Sequence, residues 1–165
     1  MSSNRAGVWV AVDPGSVRTG VAACDPGQVL ASPVATLAKP EAISGVVAIV
    51  HEREAIGVVV GLPISLSGGE GTSARKARTY ALELAREVGV PVYLVDERLT
   101  SVAAGAALQA GGHTAKSARR VVDQAAAAAL LQGVLDAQVA GGHKCGDVLG
   151  GGLGERVQPE GGEQL

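Results

Sequence analysis

A short run of strand-forming residues that ends on an acidic side chain is the feature that most constrains this chain. Val8 to Val12 is apolar and favours a strand, Asp13 follows it, and Pro14 and Gly15 come directly afterwards. A carboxylate at the end of a buried strand is costly to desolvate unless a metal ion, a phosphate-bound metal or a basic side chain pairs with it. Because Asp-Pro-Gly is also a good turn sequence, Asp13 by itself is equally consistent with a turn aspartate.

Two further acids occupy comparable positions. The apolar run from Val90 to Val95 favours a buried strand that ends on Asp96 and Glu97, and Asp123 lies within an Ala-rich helix with few charges. Ligands of open α/β sheets gather at the carboxyl ends of strands. Carboxylates that converge there are hard oxygen ligands, suited to Mg²⁺ or Mn²⁺. Two such ions can bind the attacking and leaving oxygens of a phosphodiester, so that no nucleophilic side chain is required.

The order of the elements predicts the fold class. Three strands in series, followed by alternating helix and strand, indicate an α/β fold with a mixed five-stranded sheet and helices on both faces. Pro33 cannot donate to a strand ladder, so the third strand should lie at an edge. The expected strands cover about 8–13, 20–24, 29–36, 55–60 and 91–95. Four helices are expected: one begins at Pro40, and the other three cover about 72–88, 101–110 and 116–139.

Composition divides the chain into two regions. The 165 residues suffice for one domain with its own core, which we assign to residues 1–140. Residues 141–165 contain nine glycines and no apolar periodicity, which predicts a disordered tail. Up to residue 140 the chain has 12 Lys and Arg against 12 Asp and Glu, so the tail supplies the whole net charge of −2. With its three marked acids neutralised by metal, the body would carry a modest positive field.

The sequence gives no support for a membrane span, a secretion signal or a cysteine-based site. No apolar run approaches the roughly 20 residues of a membrane span. The N-terminus lacks an apolar signal segment, which predicts a cytoplasmic protein. Cys24 and Cys145 make neither a metal-ligand spacing nor a disulfide framework. We expect two reduced thiols, and an intermolecular disulfide through the tail cysteine is the alternative.

Four segments resemble the signatures of one bacterial nuclease family, the YqgF/RuvX type. These proteins are relatives of the Holliday junction resolvases on the ribonuclease-H-like fold. The segments occur in order and together span about Val8 to Val139. They are VDPGSVRTGVA at 12–22, VGLP at 60–63 with GGEG at 68–71, DERLTS at 96–101 and VVDQAAA at 121–127.

The resemblance implies that Asp13, Glu97 and Asp123 are catalytic and hold Mg²⁺ or Mn²⁺. In the implied mechanism Asp13 binds both ions, and the other two acids complete the coordination. Asp96 and Glu97 should point to opposite sides of the strand end, so only one can face the metals. The family pattern selects Glu97, which leaves Asp96 to hold Arg98 or a backbone amide.

Several basic side chains are candidates for binding nucleic-acid phosphates. Arginine offers bidentate contacts to phosphate, although acids such as Glu83 and Glu87 can pair with neighbouring arginines instead. The alternative for each cation is an ordinary solvated surface charge. The candidates are Arg18 after the first turn, Arg75, Lys76 and Arg78 on the 72–88 helix, Arg98, and Lys116, Arg119 and Arg120 before Asp123.

The substrate stays open between two nucleic acids. The resemblance implies either the precursor of 16S ribosomal RNA, trimmed at its 5′ end, or a four-way DNA junction. Trp9, Tyr80 and Tyr93 are too few aromatic side chains for a stacking platform that reads single strands. Recognition should therefore use shape and backbone and weaken with salt. Symmetric nicking of a junction would require a two-fold homodimer, whereas RNA trimming would not.

Two other functional classes share parts of this pattern. Actin-like sugar kinases and ATPases use a similar Asp-x-Gly strand-turn-strand opening to hold nucleotide phosphates, but a chain of this length lacks their second lobe. A non-catalytic ribosome-assembly protein could keep the fold and bind RNA. The complete set of three acids argues against that reading.

Overall fold

Nine regular elements build the described part of the chain, which comprises residues 6–63, 71–97, 115–141 and 154–158 of a computed structural model. A 3₁₀ turn at Lys39–Glu41 precedes the first helix. The strands are β1 (Trp9–Pro14), β2 (Arg18–Cys24), β3 (Ala31–Ala38), β4 (Gly57–Leu62), β5 (Val92–Asp96) and β6 (Glu155–Arg156). The helices are α1 (Ser44–Arg53), α2 (Thr72–Val88) and α3 (Ala115–Gly141).

The strands form one mixed sheet in the order β3-β2-β1-β4-β5-β6. β2 runs antiparallel to β1 and β3, whereas β4 is parallel to β1 and to β5. The predicted mixed α/β sheet is therefore confirmed, and Pro33 lies on the edge strand as expected. Among the described residues the sheet has six strands rather than the predicted five, because β6 from the C-terminal region adds to β5. Because β1, β4 and β5 are parallel, their carboxyl ends lie at one edge of the sheet.

Alternation along the strands produces two hydrophobic cores, one on each face. On one face, which we call the α2 face, Val12 of β1 and Val60 of β4 pack in a cluster with Leu84 of α2. On the other, the α3 face, Ala11 and Val95 pack in a cluster with Leu130 of α3. Helices therefore cover both faces, as the sequence predicted.

A glycine on β4 makes room for the tryptophan of β1. Trp9 pairs with Gly57 across the parallel ladder, and a Cβ at Gly57 would collide with the indole ring. The ring can therefore lie across the neighbouring strand and bury itself, with only 3% of Trp9 exposed. Its centroid is 6.0 Å from that of Tyr93 on β5. This contact ties three strands together on the α3 face.

The helix boundaries partly follow the sequence signals. α2 covers Thr72–Val88 as predicted, and Gly89 ends it with a left-handed φ of 78°. The predicted helix start at Pro40 is wrong, since that proline lies in the 3₁₀ turn and α1 begins at Ser44. The turn closes early because Ala42 N–H donates to the Lys39 carbonyl at 3.1 Å. The predicted helix over 101–110 lies outside the described residues.

Part of the C-terminal region is an ordered strand. Residues Glu155–Arg156 pair antiparallel with β5, and Val157 N–H donates to the Val92 carbonyl at 2.8 Å. Val157 is buried, and the Arg156 guanidinium lies 5.8 Å from the Tyr93 ring centroid. The predicted disorder is therefore wrong for residues 154–158, because β5 offers an edge and these side chains find partners there. The rest of the tail lies outside the described residues.

Two further predictions touch the described residues. Cys24 is a buried free thiol whose sulfur accepts a hydrogen bond from Trp9 N–H at 3.3 Å. Burial raises the pKa of this thiol, which suits a reduced core cysteine. Cys145 lies outside the described residues. None of the helices in the described ranges has the length and apolar character needed to cross a membrane.

Candidate active site

Two acids meet where parallel strands end. Asp13 is in the last part of β1, and Glu97 directly follows β5. Between them runs β4, on which Val60 pairs with Val12 of β1 and Gly61 pairs with Val95 of β5. Gly61 therefore lies between the two acid-bearing strands, next to Val60 and opposite Val95. The sheet topology itself brings these two carboxylates to one place.

The missing side chain of Gly61 leaves the space in which the acids converge. A Cβ built on Gly61 would lie 3.6 Å from Asp13 Oδ1 and 3.3 Å from Glu97 Oε2. It would also lie 3.4 Å from Leu130 Cδ2 of α3. The β2 partner of Asp13 is a second glycine, Gly20. A larger residue at position 61 would push into the carboxylate oxygens.

A hydrogen bond joins the two acids. Both side chains are half-buried. Desolvation raises the pKa of Glu97, the hydrogen bond with Asp13 opposes that shift, and the negative charge of Asp96 adds to it. Two carboxyl groups can hydrogen-bond only when they share a proton. A pair that must otherwise hold a proton is a natural place for a cation.

Adjacent acids at the end of β5 face opposite sides of the sheet. Val95 belongs to the α3-face cluster and Leu94 to the α2-face cluster. Strand alternation then places Asp96 on the α2 face. Glu97 lies on the same face as Leu130 of α3, because side-chain atoms of both residues would contact a Cβ placed on Gly61. Asp13 follows Ala11 at a spacing of two residues and also faces α3. Glu97, and not Asp96, is therefore the acid that meets Asp13.

The third predicted acid lies on the helix that covers this face. Asp123 is in α3, one turn before Ala127 and two turns before Leu130, both of which are buried in the α3-face cluster. The side chain of Asp123 lies outside the described set, so its place at the acid pair stays a prediction. Among the described side chains, no group of three acids, histidines or cysteines gathers into a metal site.

The predicted phosphate-binding cations fall at different places. Arg18 begins β2, and its carbonyl accepts a hydrogen bond from Gly15 N–H at 2.9 Å in the β1–β2 turn. Arg75 and Lys76 are exposed near the start of α2. Arg78 pairs bidentately with Glu155 of β6, with N–O distances of 2.8 and 3.0 Å. Arg98 lies outside the described residues, as do the side chains of Lys116, Arg119 and Arg120.

Comparison with protein families decides the family of the chain. Residues 7–137 match the family model described as "RuvX: Holliday junction resolvase". The chain belongs to the RuvX family. This agrees with the resemblance inferred from the four sequence segments.

Similar proteins of this family carry one shared name. A protein from Kineococcus radiotolerans is 50% identical over 157 residues, which cover 92% of this chain and 83% of that protein. A protein from Streptomyces avermitilis is 47% identical over 147 residues, covering 87% of this chain and 94% of that protein. Each is named as a candidate pre-16S rRNA nuclease.

Solved structures support the fold of this RuvX chain. RuvC from T. thermophilus in complex with a Holliday junction substrate aligns with a TM-score of 0.54 at 18% identity. The alignment covers 81% of this chain and 96% of that chain. A second structure of Thermus thermophilus RuvC has a TM-score of 0.50 at 19% identity, covering 90% and 99%. At these identities the likeness concerns the ribonuclease-H-like fold alone.

Sequence reasoning missed two residues whose positions depend on the sheet. In the sequence, Gly61 was noted only as part of the VGLP segment. Its position between the two acid-bearing strands follows from the parallel arrangement of β1, β4 and β5. Glu155 was missed as the partner of Arg78, because the Gly-rich composition around it gives no periodic signal. A two-residue strand of this kind becomes recognisable only when the edge of the sheet with which it pairs is known.

Proposed function

We propose that this RuvX-family protein is a nuclease that hydrolyses phosphodiester bonds of structured RNA and processes the 5′ end of pre-16S ribosomal RNA. The names of its relatives support that substrate. The observation that carries the reaction class is the convergence of Asp13 Oδ1 and Glu97 Oε2 on the space over Gly61. A role in ribosomal RNA maturation would place the protein in the cytoplasm.

The residues of the acid pair fit a hard divalent cation. Their donors are carboxylate oxygens, they are half-buried, and Gly61 leaves the space between them open. We propose that Asp13, Glu97 and Asp123 would hold Mg²⁺ or Mn²⁺, two ions in all. Such ions would lower the pKa of an attacking water and neutralise negative charge on the phosphate.

The protein's own contribution is to position these acids. Asp13 and Glu97 are attached to the ends of parallel strands, so their separation is set by the hydrogen-bonded ladder through β4. Leu130 of α3 is buried on the same face and approaches the same space over Gly61. We propose that Asp123 approaches from the same helix. Rigid placement of charged ligands is what phosphoryl transfer requires most.

Cleavage of two labelled substrates tests this function. A precursor 16S leader RNA and a mobile four-way DNA junction are incubated with Mg²⁺ or Mn²⁺, with Asp13→Asn as the paired variant. We expect cleavage of the RNA by the wild type, and RNA binding without cleavage by Asp13→Asn. Loss of binding as severe as loss of cleavage in that variant would contradict the assignment of Asp13.

Junction resolution is the second candidate, because the family model that matches residues 7–137 is described by that activity. It predicts paired symmetric nicks on the DNA junction, lost in Asp13→Asn, and a dimer by sedimentation. Cutting of the RNA alone excludes it. Binding of RNA without cleavage of either substrate would favour a ribosome-assembly role instead.

A further inference from the structure

A cavity lies beside the β1–β2 turn, apart from the acid pair. Its volume is about 480 Å³, and neither Asp13 nor Glu97 lines it. Its walls are Pro14 to Ser16 of the turn, Lys39 with Ala42, and the first three turns of α2. Thr19, whose spacing along β2 places it on the α2 face with Val21, also lines it. The cavity and the acid pair therefore lie on opposite faces of the sheet and share one turn.

The charge of the cavity wall is positive. Three cations line it, and Glu83 is the acid among its lining residues. Arginine and lysine are the side chains that proteins use most for phosphate groups. Two of the cations, Arg75 and Lys76, were predicted from the sequence to bind nucleic acid. The third, Lys39, comes from the 3₁₀ turn before α1 and is brought to them only by the fold.

The wall also presents hydroxyl groups and a helix start. Ser16, Thr72, Ser73 and Thr79 all line the cavity, and hydroxyls donate hydrogen bonds to phosphate oxygens. Thr72 and Ser73 are the first residues of α2, whose first turn contains no acid. The free N–H groups of a helix start favour an anion. This adds to the three cations, of which Lys39 stands on a separate part of the wall.

One side of the cavity is held rigidly. Tyr80 lines it, and the Tyr80 hydroxyl donates to the Ala42 carbonyl at 2.7 Å. Burial raises the pKa of this phenol, which keeps it protonated as a donor. The bond fixes α2 against the segment that carries Lys39. Binding a ligand in a preformed cavity costs less free energy than binding it where the protein must first become ordered.

We infer that this cavity binds one nucleotide of the substrate strand, on the other side of the β1–β2 turn from the acid pair. The inference rests on the proposed nuclease function. About 480 Å³ lies in the range of small-ligand sites and exceeds what a lone phosphate needs. Because Pro14 directly follows Asp13, a strand bound at the acids has to pass only the β1–β2 turn to reach it. The cavity would then bind a flanking nucleotide through its sugar-phosphate backbone and so fix the position of the strand.

Binding of a labelled precursor leader RNA in EDTA tests the inference without requiring cleavage. We expect the double variant Lys39→Ala/Lys76→Ala to bind on the order of 10- to 100-fold more weakly. The slope of log affinity against log salt should fall by about 1.4, since each lost phosphate contact contributes about 0.7 on a single strand. Arg86→Ala is the matched control, because Arg86 is an exposed cation of the same helix outside the cavity.

A variant that fills the cavity without changing its charge distinguishes binding inside the cavity from binding to a positively charged surface. Thr79 is exposed and lines the cavity, so Thr79→Phe should fill it and weaken RNA binding about tenfold or more. If the charge variant loses affinity and Thr79→Phe does not, the inference is overturned. Equal losses in the double variant and in Arg86→Ala, after allowing for one charge against two, overturn it as well.

Competition and cleavage identify the occupant. If a ribonucleoside 5′-monophosphate binds the wild type as tightly as the RNA does, the cavity serves free nucleotide and the strand assignment is wrong. If the cavity variants bind normally while wild type cleaves RNA, the inference falls and the nuclease proposal stands. If the cavity variants bind poorly while wild type cleaves nothing with metal, the nuclease proposal falls, and the assignment of the cavity to a substrate strand falls with it, although the cavity binds RNA.

Discussion

The two faces of the sheet are chemically opposite around one tight turn. On the α3 face, Asp13 and Glu97 converge over Gly61. On the α2 face, the cavity next to the same turn is lined by Lys39, Arg75 and Lys76. Strand alternation separates the two sets, because neighbouring residues of β1 and β2 point to opposite faces. A single strand-turn-strand unit can thus serve a cation site on one side and an anion site on the other.

The largest expected effect is the difference between two adjacent acids. Glu97→Gln should lower cleavage by more than about 100-fold, since changes to residues that merely orient metal ligands already cost 10–100-fold. Asp96→Asn should change it by no more than about twofold, because Asp96 faces the other side of the sheet. Single-turnover cleavage of the leader RNA measures both. Similar losses in the two variants would mean that the faces are not chemically distinct.

A pair of glycine variants probes the space between the acids. Gly61→Ala should lower the free energy of unfolding by about 1–3 kcal/mol, because its methyl group would be crowded by Glu97 and Leu130. We also expect cleavage to fall with it. Urea unfolding and the cleavage assay measure the two effects.

Gly71→Ala is the matched control on the α2 face. A Cβ at Gly71 meets no described atom within 4 Å. The cost should be below about 1 kcal/mol, as for a change at a helix N-cap. If Gly61→Ala unfolds no more easily than Gly71→Ala and cleaves normally, the close approach of the acids to Gly61 is wrong.

A smaller effect is expected where the C-terminal strand β6 pairs with a side chain of α2. Glu155→Gln removes the charge that pairs with Arg78, at a side chain 58% exposed. RNA affinity should rise by up to about fivefold if Arg78 then contacts phosphate, the range of a surface ion pair. Glu87→Gln, an exposed acid of α2 outside the cavity, controls for the general change in charge. An equal rise in both variants would leave Glu155 without a specific role.

The smallest expected effect concerns an acid at the far end of β2. Hydrogen bonds from Leu30 N–H and Val29 N–H lower the pKa of Asp25, the opposite direction to Glu97. A lowered pKa stabilises the folded state above the unfolded value of about 3.9, and this stability is lost as pH falls through the lowered value. Asp25→Asn should therefore unfold at lower urea near neutral pH.

The pH profile distinguishes a charge effect from a structural one. The difference in urea midpoint between wild type and Asp25→Asn should shrink as pH falls below about 3.9. A difference that stays constant well below about pH 3.9 would show that the side-chain shape, and not the charge, holds the β2–β3 turn.

Much of the fold was predictable because its signals are local. The strand ending on Asp13, the capping of α2 by Gly89 and the edge position of Pro33 each follow from short-range chemistry. The convergence of Asp13 and Glu97 was predictable from the parallel order, since parallel strands end together. The start of α1 was misplaced by four residues because Pro40 suits the first turn of a 3₁₀ helix as well as that of an α-helix.

Other features depended on contacts between distant segments. Lys39 joins Arg75 and Lys76 only because the 3₁₀ turn packs against α2, and no sequence pattern links positions so far apart. The strand at Glu155–Arg156 depends on the edge of β5, some 60 residues earlier in the chain. The role of Asp123 was predicted from its helix and from family resemblance, and it stays a prediction.

The packing of Trp9 has a practical consequence. It is the one tryptophan of the chain, it is buried on the α3 face, and it belongs to the same cluster as Leu131 and Leu135 of α3. Its emission spectrum should therefore be blue-shifted when that helix is docked and should move to longer wavelength when the helix detaches. The protein carries a built-in optical reporter for the element that bears Asp123.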